Sequence, residues 1–170
     1  MKRENSARLV LNLGSGEDLF GDVRADLFPT KATNLVCDCQ SLPFRDEVFS
    51  EVYERNLFEH VPNPGRHVEE VKRVLVGSGS LTLITDNAAC LKYYVFGTHT
   101  GGYRRHEGKD VHFALFTEEH LRNFMANAGL RIKRVKLIDT DYYSQVFDRL
   151  VRLVAPSLSY PRIMVEAEKP

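Results

Sequence analysis

The chain has no excess of charge of either sign. Its 170 residues carry 23 Lys and Arg against 23 Asp and Glu, which gives a formal net charge of zero at pH 7. We therefore expect no bulk electrostatic attraction to nucleic acid or to an anionic membrane, although a local basic patch is compatible with this balance. The composition disfavours nucleic acid as a partner without excluding it.

The sequence also lacks a long apolar run. No stretch approaches the roughly 20 apolar residues that a membrane-spanning helix needs. The first residues, MKRENSARLVLNLGSG, contain no apolar signal core followed by a small-residue cleavage site. We therefore expect a cytoplasmic protein without membrane contact, and the length and apolar content predict a single domain over residues 1–170.

Cysteines are few and do not suggest a disulfide framework. The three are Cys37, Cys39 and Cys90. Cys37 and Cys39 would lie on the same side of one strand, where a disulfide between them would be badly strained. A single Cys-x-Cys also falls short of the four ligands of a closed zinc site. We therefore expect reduced thiols rather than disulfides or a cysteine metal centre.

Short apolar runs separated by turn residues predict alternating strands and helices. The predicted strands are 9–13, 22–27, 34–38, 49–56, 80–86, 130–138 and 162–168. Asn63 and Thr117 are suitable N-caps for two helices, Gly77 fits the position just past the first, and Gly129 fits the end of the second. A third helix is predicted over residues 142–154.

This order of elements predicts an α/β fold. We expect a Rossmann-like sheet of seven strands, mostly parallel, with helices on both faces and a C-terminal antiparallel hairpin. Only nine residues separate Gly16 from Asp26, so the helix that usually links the first two strands must be reduced or absent. A homodimer contact is one way to cover the apolar surface that this leaves.

The first predicted strand ends in the turn Gly14-Ser15-Gly16. Because glycine has no Cβ, backbone at this turn can approach a ligand closely. The carboxyl end of the first strand is also where open α/β sheets bind ligands. The dinucleotide fingerprint would need a third glycine where Leu19 stands, and a phosphate loop would need Gly-Lys-Ser/Thr. The turn therefore matches a phosphate-binding site less well than a site for another kind of ligand.

Six segments, in order along the chain, carry a resemblance to a known family. They are LNLGSG, VRADL, CDCQSLPFRDEVFSEVYERNLFEHV, EEVKRVLVGSGSLTLIT, LFTEEHLRNFMANAGLRI and VEAEKP. Together they closely resemble the class I S-adenosylmethionine-dependent methyltransferases, in particular the compact, methyltransferase type 11-like branch. The resemblance implies an enzyme that uses S-adenosyl-L-methionine as its cofactor.

The resemblance also implies which residues contact that cofactor. They are Leu13, Gly14, Ser15, Gly16, Asp26, Leu27, Asp38, Cys39, Leu42, Arg55 and Asn56. The backbone from residue 13 to 16 would pass beneath the methionyl part, and Asp26 would accept hydrogen bonds from both ribose hydroxyls. Arg55 and Asn56 would stand nearest the sulfonium.

The adenine would be held by the segment after the third strand. Asp38 would accept a hydrogen bond from the adenine amino group, and the backbone at Cys39 would meet the edge of the ring. Leu27 and Leu42 would lie on its two sides. The alternative for Asp26 and Asp38 is that they stabilise local turns, and Leu42 in isolation is more typical of a core residue.

Residues of the methyl acceptor site are less clearly marked. His60 is a candidate general base, with a backbone hydrogen bond at a helix entry as the alternative. The long connection between the fifth strand and the next helix carries Tyr103, Arg104 and His112, which we expect to contact a small or medium-sized acceptor. The spacing of the histidines fits no familiar zinc helix, so no metal site is expected.

Two other classes of function stay open at this point. The missing helix allows a methyltransferase-fold binding or assembly module that does not turn over. A Rossmann-like nucleotide-binding protein could use Asp26 for a ribose, although the mismatch at Leu19 counts against it.

Overall fold

The computed structural model describes residues 8–95, 103–104, 111–138 and 145–170. Seven strands in these ranges form one sheet, and two further strands form a small ribbon. The strands are β1 (Val10–Leu13), β2 (Val23–Asp26), β3 (Leu35–Val36), β4 (Phe49–Arg55), β5 (Leu75–Asp86), β6 (Tyr103–Arg104), β7 (Val111–His112), β8 (Arg131–Ile138) and β9 (Arg162–Glu168).

The sheet has the order β3-β2-β1-β4-β5-β9-β8. Strands β3, β2, β1, β4 and β5 pair in parallel, whereas β9 lies between β5 and β8 and is antiparallel to both. The prediction of a mostly parallel seven-stranded sheet with an antiparallel C-terminal pair is confirmed. Because the first five strands are parallel, their carboxyl ends meet at one edge, where a ligand site is expected.

Helices follow the predicted caps. They are α1 (Pro64–Val74), α2 (Lys92–Val95), α3 (Glu118–Ala128), α4 (Gln145–Val154) and α5 (Pro156–Ser159), and Phe58–His60 forms a 3-10 turn. The Asn63 side chain accepts a hydrogen bond from the backbone of Arg66, and the Thr117 side chain accepts one from the backbone of His120. Gly129 ends α3 with a φ of 72°, a conformation that favours glycine.

The end of α1 differs from the prediction. Gly77 does not follow the helix but lies inside β5, which begins directly after Val74. Leu75 pairs with Phe49 and Ser80 pairs with Glu51, so the intervening residues of β5 bulge out of the ladder. Strand pairing therefore ends the helix earlier than its local sequence indicates.

The connection from β1 to β2 contains no helix, as predicted. The loop instead folds back over the sheet, where the Phe20 ring meets the Tyr53 ring edge-on at 5.0 Å between centroids. The Asn12 side chain donates to the Phe20 carbonyl at 3.2 Å. Leu19, Phe20, Leu27, Phe28 and Val36 stay exposed around this part of the sheet.

The core lies between the sheet and the adjacent helices α1 and α3. Leu11, Val52 and Leu81 stand in register on neighbouring strands and are buried, and they pack in one cluster with side chains of both helices.

Among the residues described, no helix combines the length and the apolar character that crossing a membrane would require.

Candidate functional site

A cavity of about 500 Å³ opens at the carboxyl ends of the parallel strands. Its volume is in the range of small-molecule and cofactor sites. Eight of the residues singled out in the sequence line it, namely Leu13, Gly14, Asp26, Leu27, Asp38, Cys39, Asn56 and His60. The lining also includes Ala25, Phe28, Cys37, Gln40, Leu57, Val61, Pro62 and Phe113, which the sequence did not single out.

The glycine turn forms one wall of this cavity. Gly14 has a φ of 64°, and a Cβ there would lie 3.0 Å from the Leu57 side chain. Gly16 has a φ of 51°, but a Cβ there would meet no atom within 4 Å. Glycine is therefore required at position 14 by both conformation and close approach, and at position 16 by conformation alone.

Asp26 connects the end of β2 to this turn. One carboxylate oxygen accepts the Gly16 N–H at 2.9 Å, and the other accepts the Phe28 N–H at 3.0 Å. The Thr30 hydroxyl donates to the Gly16 carbonyl. Each carboxylate oxygen has a second lone pair, so these contacts leave Asp26 able to accept two hydroxyl groups from the cavity side.

The loop after β3 contributes Asp38, Cys39 and Gln40 to the lining of the cavity. Asp38 accepts the Gln40 N–H at 2.8 Å, which makes the local turn that the sequence also allows. The Gln40 side chain accepts the Asn63 N–H at 3.0 Å, and the Arg66 side chain donates to the Gln40 carbonyl at 2.8 Å. The N-terminal end of α1 thus holds this loop in place.

Two further residues of α1 hold the continuation of the loop. Glu70 accepts the Leu42 N–H at 2.8 Å, and Arg73 donates to the carbonyls of Leu42 and Phe44 at 3.0 and 2.8 Å. The hydrogen bonds from Arg73 and from the Leu42 backbone lower the pKa of Glu70 and keep it ionised. Most of the polar groups of the loop are thereby tied to one helix.

A buried ion pair lies beneath the same loop. His67 Nε2 lies 2.6 Å from a Glu54 oxygen, and His67 Nδ1 lies 3.2 Å from the Cys39 carbonyl. Both side chains are at most 1% exposed. Burial opposes the charged form of His67, but the Glu54 charge and these hydrogen bonds raise its pKa well above the usual value. A protonated His67 can donate to both partners and so links β4 to the cavity wall.

Four predicted cofactor residues do not line the cavity. Leu42 is buried in the core, and Arg55 is exposed at the end of β4. Gly16 stands behind Gly14 in the turn. Ser15 is buried, and its hydroxyl has no hydrogen-bond partner among the described residues. Their roles toward a cofactor stay predictions.

Of the predicted acceptor residues, His60 lines the cavity. His60 belongs to the 3-10 turn, and its ring meets the His112 ring edge-on at 4.4 Å between centroids. Tyr103 pairs with His112, and Arg104 with Val111, in the β6–β7 ribbon. The side chains of Tyr103 and Arg104 lie outside the described part, as does the segment 105–110 that joins the two strands.

Glu59 is the buried neighbour of His60. Its carboxylate accepts the Thr85 hydroxyl at 2.6 Å. Burial, with the negative charges of Asp86 and Glu54, raises the pKa of Glu59 to about 7. The sequence marked His60 as a candidate base but did not mark Glu59, because only the fold shows that this carboxyl group is buried.

The Rossmann-like sheet has a glycine turn after β1 and acidic residues after β2 and β3, which is the arrangement that the resemblance to class I methyltransferases implies. Comparison with known proteins agrees with this resemblance. The family described as "Methyltransferase domain" matches residues 18–83, which is less than half of the chain. No curated protein is significantly similar to the chain in sequence.

Three solved structures of S-adenosylmethionine-dependent methyltransferases are similar in fold. One from Methanosarcina mazei is 15% identical with a TM-score of 0.64, and the match covers 94% of this chain and 91% of that one. One from Archaeoglobus fulgidus is 16% identical with a TM-score of 0.64, covering 95% and 86%. One from Mesorhizobium loti is 14% identical with a TM-score of 0.61, covering 95% and 90%.

The fold and the family match confirm the resemblance to the class I S-adenosylmethionine-dependent methyltransferases. The residues of this chain also fit the cofactor of that superfamily. The cavity is large enough, two carboxylates stand at its wall, and a buried Ser15 hydroxyl without a described partner lies at the glycine turn.

Proposed function

We propose that this chain binds S-adenosyl-L-methionine in the cavity and transfers its methyl group to a small or medium-sized acceptor. The observation that carries the proposal is the pairing of Asp26 with the Gly14–Gly16 turn at the carboxyl edge of the sheet. The bound cofactor would supply an electrophilic methyl group on a sulfonium.

The residues of the chain would hold the cofactor in the way that the sequence resemblance implies. Asp26 would accept the ribose hydroxyls through its remaining lone pairs, and Asp38 the adenine amino group. Leu27 stands at the cavity wall and would cover one side of the adenine. With Leu42 in the core, Phe28 and Val61 are the lining residues that we assign to the apolar part of the site.

The main task of the protein in such a reaction is to orient two partners in line. Asn56 and His60 line the cavity and would position the acceptor beside the methyl group. His60 would take a proton from an acceptor that carries one. Tyr103, Arg104 and His112 stay our candidates for acceptor contacts.

Calorimetric titration of the purified chain with S-adenosylmethionine, S-adenosylhomocysteine and NAD tests the proposal. We expect saturable binding of the first two and none of NAD, because Leu19 replaces the third glycine of the dinucleotide fingerprint and is 73% exposed. Binding of NAD alone would instead favour a nucleotide-binding protein.

A second candidate function is a binding or assembly module with the same fold. The observation that favours it is the β1–β2 connection, which has no helix whose N-terminus could help to hold an anionic group. In that case the chain would bind S-adenosylhomocysteine or no cofactor at all. It would release no S-adenosylhomocysteine from S-adenosylmethionine across a panel of acceptors.

A homodimer stays part of the proposal. Phe20, in the helix-free β1–β2 connection, and Val36 in β3 are each more than 40% exposed. Such a group of apolar side chains is typical of an interface. Sedimentation of the purified chain at several concentrations would reveal whether two copies associate.

A further inference from the structure

Three side chains with metal-binding donor atoms meet beside the cavity. Glu59 and His60 belong to the 3-10 turn, and His112 belongs to β7. One donor atom from each lies within 4.8 Å of the other two. Within the described ranges, no other group of three or more His, Cys, Asp and Glu side chains comes together in this way.

The backbone holds these three residues near one another. The Phe113 N–H donates to the Glu59 carbonyl at 2.8 Å, which fixes β7 against the 3-10 turn. The 3-10 turn is itself closed by the His60 N–H, which donates to the Leu57 carbonyl at 2.8 Å. His60 and His112 are therefore brought together by main-chain contacts and do not depend on side-chain packing alone.

The carboxylate of the group is also oriented. Thr85 donates its hydroxyl to Glu59 at 2.6 Å, the kind of supporting hydrogen bond that orients carboxylates around metal ions. Glu59 is 1% exposed, and the Asp86 carboxylate adds negative charge near it. A cation bound at Glu59 would neutralise the charge of its buried carboxylate.

We propose that Glu59, His60 and His112 form a binding site for one divalent first-row transition-metal ion such as Zn²⁺ or Fe²⁺. Borderline ions of this kind bind well to two imidazoles and one carboxylate, whereas Mg²⁺ and Ca²⁺ favour ligand sets made of oxygen atoms. At metal–ligand distances of about 2.1 Å, neighbouring donor atoms stand about 3.4 Å apart. Both histidines are half-buried, and on binding the donor atoms, which lie within 4.8 Å of one another, would close to this spacing.

The position of the site indicates what the ion would do. His60 and Phe113 line the same cavity as Gly14 and Asn56. Three protein ligands leave coordination positions open, as in catalytic rather than structural sites. Because His60 also lines the cavity, an acceptor bound in the cavity would be within reach of the ion.

The consequence for the acceptor rests on the proposed function. As a ligand of the ion, His60 would not act as the base. An acceptor hydroxyl bound to the ion would instead lose its proton to water more readily, because the cation stabilises the oxyanion. The oxygen would then attack the methyl carbon while the carbon–sulfur bond breaks, which leaves a methyl ether and S-adenosylhomocysteine. The site thus predicts an acceptor with an ionisable oxygen.

Spectroscopic titration with Co²⁺ and calorimetric titration with Zn²⁺ test the site on the chain freed of metal by a chelator. We expect one ion per chain for the wild type. His60→Ala, His112→Ala and Glu59→Gln should each weaken binding by about tenfold or more, since each removes a ligand atom. Circular dichroism would verify that each variant is folded. His112→Ala should disturb the fold less than Glu59→Gln, because His112 is half-buried and Glu59 is buried.

His120→Ala is the matched control. His120 is exposed at the start of α3, where it contacts Thr117, and it belongs to no such group. The proposal is overturned if the wild type does not bind one ion per chain. It is also overturned if His120→Ala weakens metal binding as much as His112→Ala does.

Titration with S-adenosylhomocysteine separates this proposal from the proposed function. Cofactor binding without metal binding would overturn the metal site and leave the methyltransferase proposal standing. Metal binding that His60→Ala and His112→Ala abolish, without cofactor binding, would support the site and contradict the proposed function.

Discussion

The two loops that line the cavity after β1 and after β3 are held in different ways. The loop after β3 is tied to α1 by Arg66, His67, Glu70 and Arg73. The glycine turn after β1 is followed by no helix, and Asp26 and Thr30 hold it through Gly16. We therefore expect the contacts of the loop after β3 to matter mainly for stability, and Asp26 beside the glycine turn to matter mainly for cofactor affinity.

The largest loss of stability should come from breaking the buried Glu54–His67 pair beneath the loop after β3. His67→Ala leaves the Glu54 carboxylate buried without its counter-charge, and breaking such a pair costs about 3–5 kcal/mol. Urea denaturation would measure the loss in the free energy of unfolding. The double variant Glu54→Leu, His67→Leu is the control and should recover much of the stability. A loss below about 1 kcal/mol for His67→Ala would contradict the importance of the pair.

The same pair predicts a dependence of stability on pH. Because the pKa of His67 is higher in the folded state than its usual value, folding favours the protonated form. The stabilisation is complete below the unfolded pKa and is lost as the pH rises through the folded one. The stability difference between wild type and the double leucine variant should therefore shrink toward alkaline pH. A difference that grows with pH would show that His67 is neutral in the folded chain.

Beside the glycine turn, Asp26→Ala should weaken S-adenosylhomocysteine binding by at least about tenfold. The reason is the loss of two charge-assisted hydrogen bonds of about 1.5–3 kcal/mol each. Calorimetric titration would measure the change. Asp18→Ala is the matched control, because Asp18 lies in the same loop and only accepts the Phe20 N–H. Equal affinity of a folded Asp26→Ala variant would exclude the predicted role.

The two glycines of the turn provide a sharper comparison. Gly14→Ala meets both an unfavourable φ and the Leu57 side chain, whereas Gly16→Ala meets the unfavourable φ alone. A left-handed conformation costs about 1–2 kcal/mol in a residue with a Cβ. Thermal or urea denaturation should show that Gly14→Ala loses more stability than Gly16→Ala. The opposite order would mean that Leu57 moves aside easily.

The smallest effect is expected far from both loops. Glu118 and Arg122 form an exposed ion pair one turn apart on α3. Such pairs contribute about 0.3–0.5 kcal/mol. Arg122→Ala should therefore change neither the free energy of unfolding nor cofactor affinity by more than this. A larger effect would show that α3 transmits changes to the cavity, and that the two loops are not independent of the rest of the fold.

Much of the architecture can be predicted from the sequence because its signals are local. The caps at Asn63, Thr117 and Gly129 act within a few residues of themselves. The nine residues between Gly16 and Asp26 are too few for a linking helix whatever surrounds them. The glycine turn and Asp26 could also be assigned to one site, since carboxyl ends of parallel strands share an edge.

The tertiary structure decided what depends on contacts between distant segments. Only strand pairing shows that β9 enters between β5 and β8, and that Gly77 lies in a strand. Only the fold buries Glu54 against His67 and brings His112 to His60. Local patterns determine which segments become strands and helices, because hydrogen bonding and capping are short-range. Burial and the pairing of charges depend on the packing of the whole chain, so the charged groups around the cavity could not be matched from their spacing.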